Sequence, residues 1–127
     1  MSGHRVPGAR LGAIVAAIAA LSACTVSPTG DPDGSVEAGR VLLREYGCVA
    51  CHQVPGVPGP QGQVGPPLGS IAERRTVAGT LPNTPENLRS WIQDPQEINP
   101  GSLMPDVGVT DEDVDAIVAY LYSLESP

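Results

Sequence analysis

The concentrated chemistry of this chain lies in Tyr46-Gly47-Cys48-Val49-Ala50-Cys51-His52. Two thiols separated by two residues reach adjacent vinyl groups of a porphyrin from one helical turn. Each thiol adds across one vinyl to form a thioether. The imidazole directly after Cys51 is then carried under the iron. C-x-x-C-H is therefore the haem-attachment spacing, and it predicts one covalent haem c on Cys48 and Cys51 with His52 as the proximal ligand. Other chemistries use parts of this set. A dithiol redox pair needs no His and sits in a strand–helix setting. Zinc needs four ligands, and only Cys48, Cys51 and His52 stand together. A Cys48–Cys51 disulfide would close a very small loop. The complete motif favours haem.

The sixth ligand follows by elimination, once the start of the chain is read. Arg5, Arg10 and His4 precede an uncharged run, Leu11 to Ala23, of 13 residues. That is short of the roughly 20 residues that span a bilayer and fits a secretory signal. Its exit, Leu21-Ser22-Ala23-Cys24, resembles a bacterial lipobox, which implies cleavage before Cys24 and a lipidated Cys24 thiol. Several acyl chains, at roughly 0.8 kcal/mol per buried CH2, anchor a protein stably. Residues 24–34 then read as a polar, turn-rich tether. The expected domains are thus a signal at 1–23, a lipidated tether at 24–34 and a folded unit at 35–125. In the processed chain His52 is the one His and Met104 the one Met. Bis-His ligation within the chain is excluded. A thioether on iron must come from Met104, in Asn99-Pro100-Gly101-Ser102-Leu103-Met104-Pro105. This Pro/Gly-rich loop is suited to laying a thioether over a flat ring.

The positioning elements are legible as helices. Val36, Gly39, Leu42, Leu43 and Tyr46 share one face of a helix over about Ser35 to Tyr46. A middle helix starts with Thr84 as N-cap and Pro85 at its first position, and stops at Asp94-Pro95. Leu88, Trp91 and Ile92 form its inner face. A last helix is capped by Thr110, with Asp113 completing a capping box and Val109–Val114 a hydrophobic staple. Its inner stripe is Val114, Ile117, Val118 and Leu121, with Tyr120 beside it. Asp111-Glu112-Asp113 suit the positive end of the helix dipole. Gln53 to Val64 reads as a flexible Pro/Gly loop beside the haem.

Composition agrees. The chain has 127 residues, 15 Gly, 14 Pro and no Phe, and its aromatic residues are Tyr46, Trp91, Tyr120 and Tyr122. One domain of this kind is hard pressed to build a dry core alone and needs a cofactor as core material. A haem would offer a large apolar plate to Leu42, Leu68, Leu88, Leu103 and the aromatic residues. The apoprotein is accordingly expected to be largely unfolded. The net charge is −7. Removing Arg5 and Arg10 leaves five Arg against 14 acids, a net of −9. Nucleic acid is an unsuitable partner for such a chain.

Gly39-x-x-Leu42-Leu43, Gly47-Cys48-x-x-Cys51-His52, Gly65-Pro66-Pro67-Leu68 and the Met104 loop together resemble the class I c-type cytochromes over about Ser35 to Leu124. The resemblance implies an all-α cytochrome c fold, with three to four short helices around one haem. It implies that the Pro66 carbonyl accepts from the His52 ring N–H, and that Leu68 packs on the haem. It also implies that the first and last helices cross closely, with Gly39 permitting the approach and Tyr120 laid against it. Trp91 is either a haem neighbour donating toward a propionate or core. Arg74 and Arg75 either pair with propionates or are simply solvated. Leu81 to Met104 looks most like the cytochrome c domain fused to subunit II of bacterial haem–copper oxidases. With no copper-binding domain before it, a free-standing relative is expected.

With His52 and Met104 both on iron, no coordination position is open to a substrate and no general base remains. The expected function is membrane-tethered, one-electron transfer in an extracytoplasmic respiratory chain, toward a terminal oxidase, by a non-enzymatic monomer. The acidic surface suggests a basic patch on the partner. A fixed subunit of an oxidoreductase complex, or a sensor whose Met104 dissociates, are the competing readings. Carbon monoxide binding to the ferrous protein would favour the sensor.

Overall fold

The computed structural model describes Met1, Gly3 and residues 32–124. Apart from Met1 and Gly3, the expected signal lies outside the described residues, as do the Cys24 lipidation site and the tether up to residue 31. Four helices carry the fold: α1 (Pro32–Glu45), α2 (Pro85–Gln93), α3 (Pro95–Ile98) and α4 (Asp111–Ser123). Two 3-10 turns, Cys48–Ala50 and Ile71–Glu73, lie between α1 and α2. The fold is mostly helical, as expected, with one small addition. β1 (Thr76–Val77) and β2 (Leu81–Pro82) pair antiparallel, Thr76 opposite Pro82 and Val77 opposite Leu81. Among the described residues no helix is long and apolar enough to cross a membrane.

The caps act as local chemistry demands. Thr84 Oγ1 accepts from the Asn87 N–H at 3.2 Å, and Pro85 opens α2, where its missing N–H costs no helical bond. Thr110 Oγ1 accepts from the Asp113 N–H at 3.2 Å. The other half of the expected capping box is used differently, because the Asp113 carboxylate accepts from the Tyr46 hydroxyl at 2.6 Å. This ties the end of α1 to the start of α4. α1 begins at Pro32, three residues ahead of the expected Ser35.

The centre of the fold is the crossing of α1 and α4. At Gly39 a Cβ would overlap the Ala116 carbonyl oxygen and lie 2.8 Å from Tyr120 Cβ, so only glycine fits. The backbones meet here as the resemblance implied. Leu43 from α1 and Val114, Ile117 and Leu121 from α4 are all nearly inaccessible to solvent. α2 closes on α4 through buried Leu88 and Ile92. Arg89 strengthens that join from outside, pairing with Asp111 at 3.3 Å and Asp115 at 3.0 Å. Part of the acidic first turn of α4 thus serves to bind α2.

Candidate haem site

The site begins where α1 ends. Gly47 adopts a left-handed conformation, φ 73°, which turns the chain into the 3-10 turn Cys48–Ala50. Within it the Cys51 and His52 N–H groups both donate to the Cys48 carbonyl, at 3.2 and 2.9 Å. This compact turn presents Cys48, Cys51 and His52 to one cavity. Burial raises the Cys48 thiol above its ordinary pKa, and Cys51 beside it pushes the same way.

His52 is held on two sides. Its Nδ1 lies 2.7 Å from the Pro66 carbonyl oxygen. A carbonyl can only accept, so Nδ1 carries the proton and Nε2 keeps its lone pair for a ligand. Gly65 lies against the same ring; a Cβ there would fall 2.5 Å from Nδ1 and 2.7 Å from Nε2. Gly65 and Pro66 therefore act as a pair: one gives the ring room, the other gives it a partner. The Gly65 N–H donates to the Cys51 carbonyl at 2.9 Å, which fixes the segment to the turn it serves.

The stretch Gln53 to Val64, expected to be flexible, is pinned instead. Gln61 accepts from the Val54 N–H at 2.7 Å and donates to the Val57 carbonyl at 2.6 Å, so its amide closes the loop on itself. Val54 and Val57 are buried, and the Tyr120 hydroxyl donates to the Pro55 carbonyl at 2.7 Å. Side-chain amides and hydroxyls replace the backbone bonds that proline removes.

The cavity these segments enclose has a volume of about 580 Å³. It brings together Cys48, Cys51, His52, Pro66, Leu68, Trp91 and Met104. Leu88 and Leu103 join them, as expected. Leu42 does not line it; Leu43, its neighbour on α1, does. The two adjacent leucines both fit the apolar stripe, and Leu43 is the one that is fully buried, while Leu42 is half-buried. Tyr46 and Trp91 line the cavity, whereas Tyr120 and Tyr122 bond elsewhere, to Pro55 and Asn83. Arg74 lines it and Arg75 does not. Arg74 is anchored by donation to the Pro67 carbonyl.

Several positioning residues escaped the sequence reading. Asn83 Nδ2 donates to the Ile71 and Arg74 carbonyls at 2.6 and 2.9 Å, and its Oδ1 accepts from the Tyr122 hydroxyl at 2.9 Å. One amide thereby fixes the β1–β2 hairpin, which contributes Thr76, Val77, Ala78 and Gly79 to the cavity, onto α4. A lone Asn before a helix cap carries no periodic signal that would mark this role.

A porphyrin fits this cavity on the chain's own evidence. Val64 is 68% exposed, Leu103 84% and Val107 40%, yet all three line the cavity and are apolar. Such a patch asks for an apolar occupant. The two thiols and one imidazole beside it are the donor set for covalent haem attachment. The chain matches the Cytochrome c family over residues 36–125 and belongs to it. It is a cytochrome c domain, of the class that transfers electrons through covalently bound haem c. It is 40% identical over 88 residues to cytochrome c oxidase subunit 2 of Alkalihalophilus pseudofirmus, covering 68% of this chain and 25% of that protein. Cytochrome c oxidase subunit 2 of Bacillus sp. strain PS3 is 34% identical over 82 residues, 61% of this chain and 23% of the relative. That of Bacillus subtilis is 31% identical over 94 residues, 69% of this chain and 26% of the relative. The chain thus spans about a quarter of the length of the curated relatives it matches.

Proposed function

We propose that this protein is a lipid-anchored, extracytoplasmic one-electron carrier, with haem c on Cys48 and Cys51 and with His52 and Met104 as the iron ligands. The observation that carries the reading is the commitment of His52 Nδ1 to the Pro66 carbonyl at 2.7 Å, on a cavity shared with both thiols and Met104. When bound, the haem supplies an iron that changes its charge by one electron. The residues supply the rest. Pro66 and Gly65 hold the imidazole in one tautomer and one plane. Leu68, Leu88 and Trp91 line the cavity and would shield a bound haem from water. Met104 provides a neutral thioether, which favours the ferrous form and raises the potential. With His52 and Met104 both given to the iron, neither side chain would be left to bind or activate a substrate.

The relatives are named as oxidase subunits, which supports a haem–copper oxidase as electron acceptor. The lipobox-like Leu21-Ser22-Ala23-Cys24 supports attachment through Cys24 on the extracytoplasmic side of a bacterial membrane. The monomer is the expected unit of exchange. A second reading, a subunit fixed in an oxidoreductase complex, is favoured by the same relatives. Purification in mild detergent separates the two: a released haem protein supports the carrier, and co-purification with large subunits supports the fixed subunit. The ligand set is tested by the far-red sulfur-to-iron absorption band of the ferric protein. It should be present in the native protein and lost in Met104→Ala. The anchor is tested by Cys24→Ser, which should release the protein from membranes.

A further inference from the structure

We propose that Gln96 is a latch that holds the Met104 loop in place, making it a positioning residue for the axial thioether. The inference rests on the reading of Met104 as an iron ligand. Gln96 stands on α3, a single turn with a firm base. Asp94 Oδ1 accepts from the Glu97 N–H at 3.0 Å, and Pro95 is among the most deeply buried side chains. From this base the Gln96 amide uses both its ends. Oε1 accepts from the Gly101 N–H at 3.2 Å, and Nε2 donates to the Ser102 and Met104 carbonyls, each at 2.9 Å. The amide has one sensible orientation, since an N–H needs an acceptor and two carbonyls need a donor.

The loop depends on this side chain because its own backbone is poor in donors. Pro100 and Pro105 have no N–H to give. Gly101 turns the chain at φ 87°. Its remaining internal stitches are few: Ser102 N–H to the Asn99 carbonyl at 3.0 Å, and Met104 N–H to Ser102 Oγ at 3.1 Å. Gln96 alone spans the segment from Gly101 to Met104. A thioether is a weak neutral ligand, and it holds its place against outside ligands by effective concentration. That concentration is set by how tightly the loop is held. Releasing the latch lowers it, and an added ligand gains.

The test is a titration of the ferric holoprotein with imidazole, following loss of the far-red sulfur–iron band. Gln96→Ala removes all three bonds. Gln96→Glu keeps an acceptor for Gly101 but sets a carboxylate against two carbonyls. Both variants should bind imidazole about tenfold more tightly, equivalent to about 1.4 kcal/mol. With imidazole saturating, so that the thioether is displaced in every form, the unfolding midpoints of the variants and the native protein should coincide, because Gln96 is exposed. A change of less than about twofold in both variants, or a lowered unfolding midpoint that persists when imidazole is saturating, would overturn the latch. Met104→Ala separates this from the ligand reading. If the native ferric protein lacks the band and Met104→Ala changes nothing, the ligand assignment fails and the latch falls with it. If the band is present and lost only in Met104→Ala, any failure belongs to Gln96.

Discussion

The two halves of this molecule are held together by different means. The seam between α1 and α4 is made of close backbone approach at Gly39 and of buried Leu43, Val114, Ile117 and Leu121. The half that walls most of the cavity, from Gly47 to Pro105, includes α2 and α3, but long stretches of it are loops. Gln61, Asn83 and Gln96 hang its loops on side-chain-to-backbone bonds. The first half is held by packing, which is strong and non-directional. The second combines buried side chains such as Leu68, Leu88 and Ile92 with directional bonds of about 1 kcal/mol each, and it borders apolar side chains that await a partner. The contrast assigns the helices the role of a frame and the haem the role of a second core.

The largest effect should come from withholding that core. The double substitution Cys48→Ala, Cys51→Ala is expected to lose most of its folded structure. A well-dispersed NMR spectrum from this chain without haem would mean that the α1–α4 seam suffices alone. Next comes the seam. Gly39→Val drives a branched side chain into the Ala116 carbonyl and should cost about 3 kcal/mol, read as a lowered unfolding midpoint. Gly65→Ala attacks the other half. Its Cβ would collide with the His52 ring, and the cost of about 2 kcal/mol should fall on the haem-bound form, with a shifted potential, while helix content is kept. Tyr120→Phe removes a single link between the halves, the bond to Pro55, and should cost about 1 kcal/mol.

The smallest effect is one of pH. Tyr46 is raised above its ordinary pKa, first by its bond to the Asp113 carboxylate and then by burial. The protonated phenol is the form that bonds, so the folded chain holds this proton more tightly than the unfolded one. The stabilisation is complete below a pH of about 10, the unfolded value, and is lost as pH rises through the higher folded value. Tyr46→Phe should therefore narrow the difference in stability between neutral and strongly alkaline solution. Equal alkaline profiles for Tyr46→Phe and the native chain would show that this link contributes nothing.

The frame was legible in the sequence because its signals are local. Thr84-Pro85 and Thr110 mark helix starts through bonds made within one turn, and the stripe Val114, Ile117, Val118 and Leu121 repeats with the helix. The C-x-x-C-H turn was legible for the same reason. Gly65-Pro66 and the Met104 loop were legible as motifs, but the bonds that hold the loops of the cavity half were not. Gln61, Asn83 and Gln96 act on carbonyls that proximity in the fold selects, with no period to reveal them. The β1–β2 pair is two residues long on each side, too short to show alternation. The choice of Leu43 over Leu42 depends on how α1 packs in the folded chain, which an apolar pair cannot specify.

One measurement bears most directly on the central claim. The protein, produced in cells that attach haem c and purified from their membranes, should have the mass of the processed, lipid-bearing chain plus one haem, and Cys48→Ala, Cys51→Ala should lack the haem. A native protein with the mass of the polypeptide and its lipid alone would contradict the account.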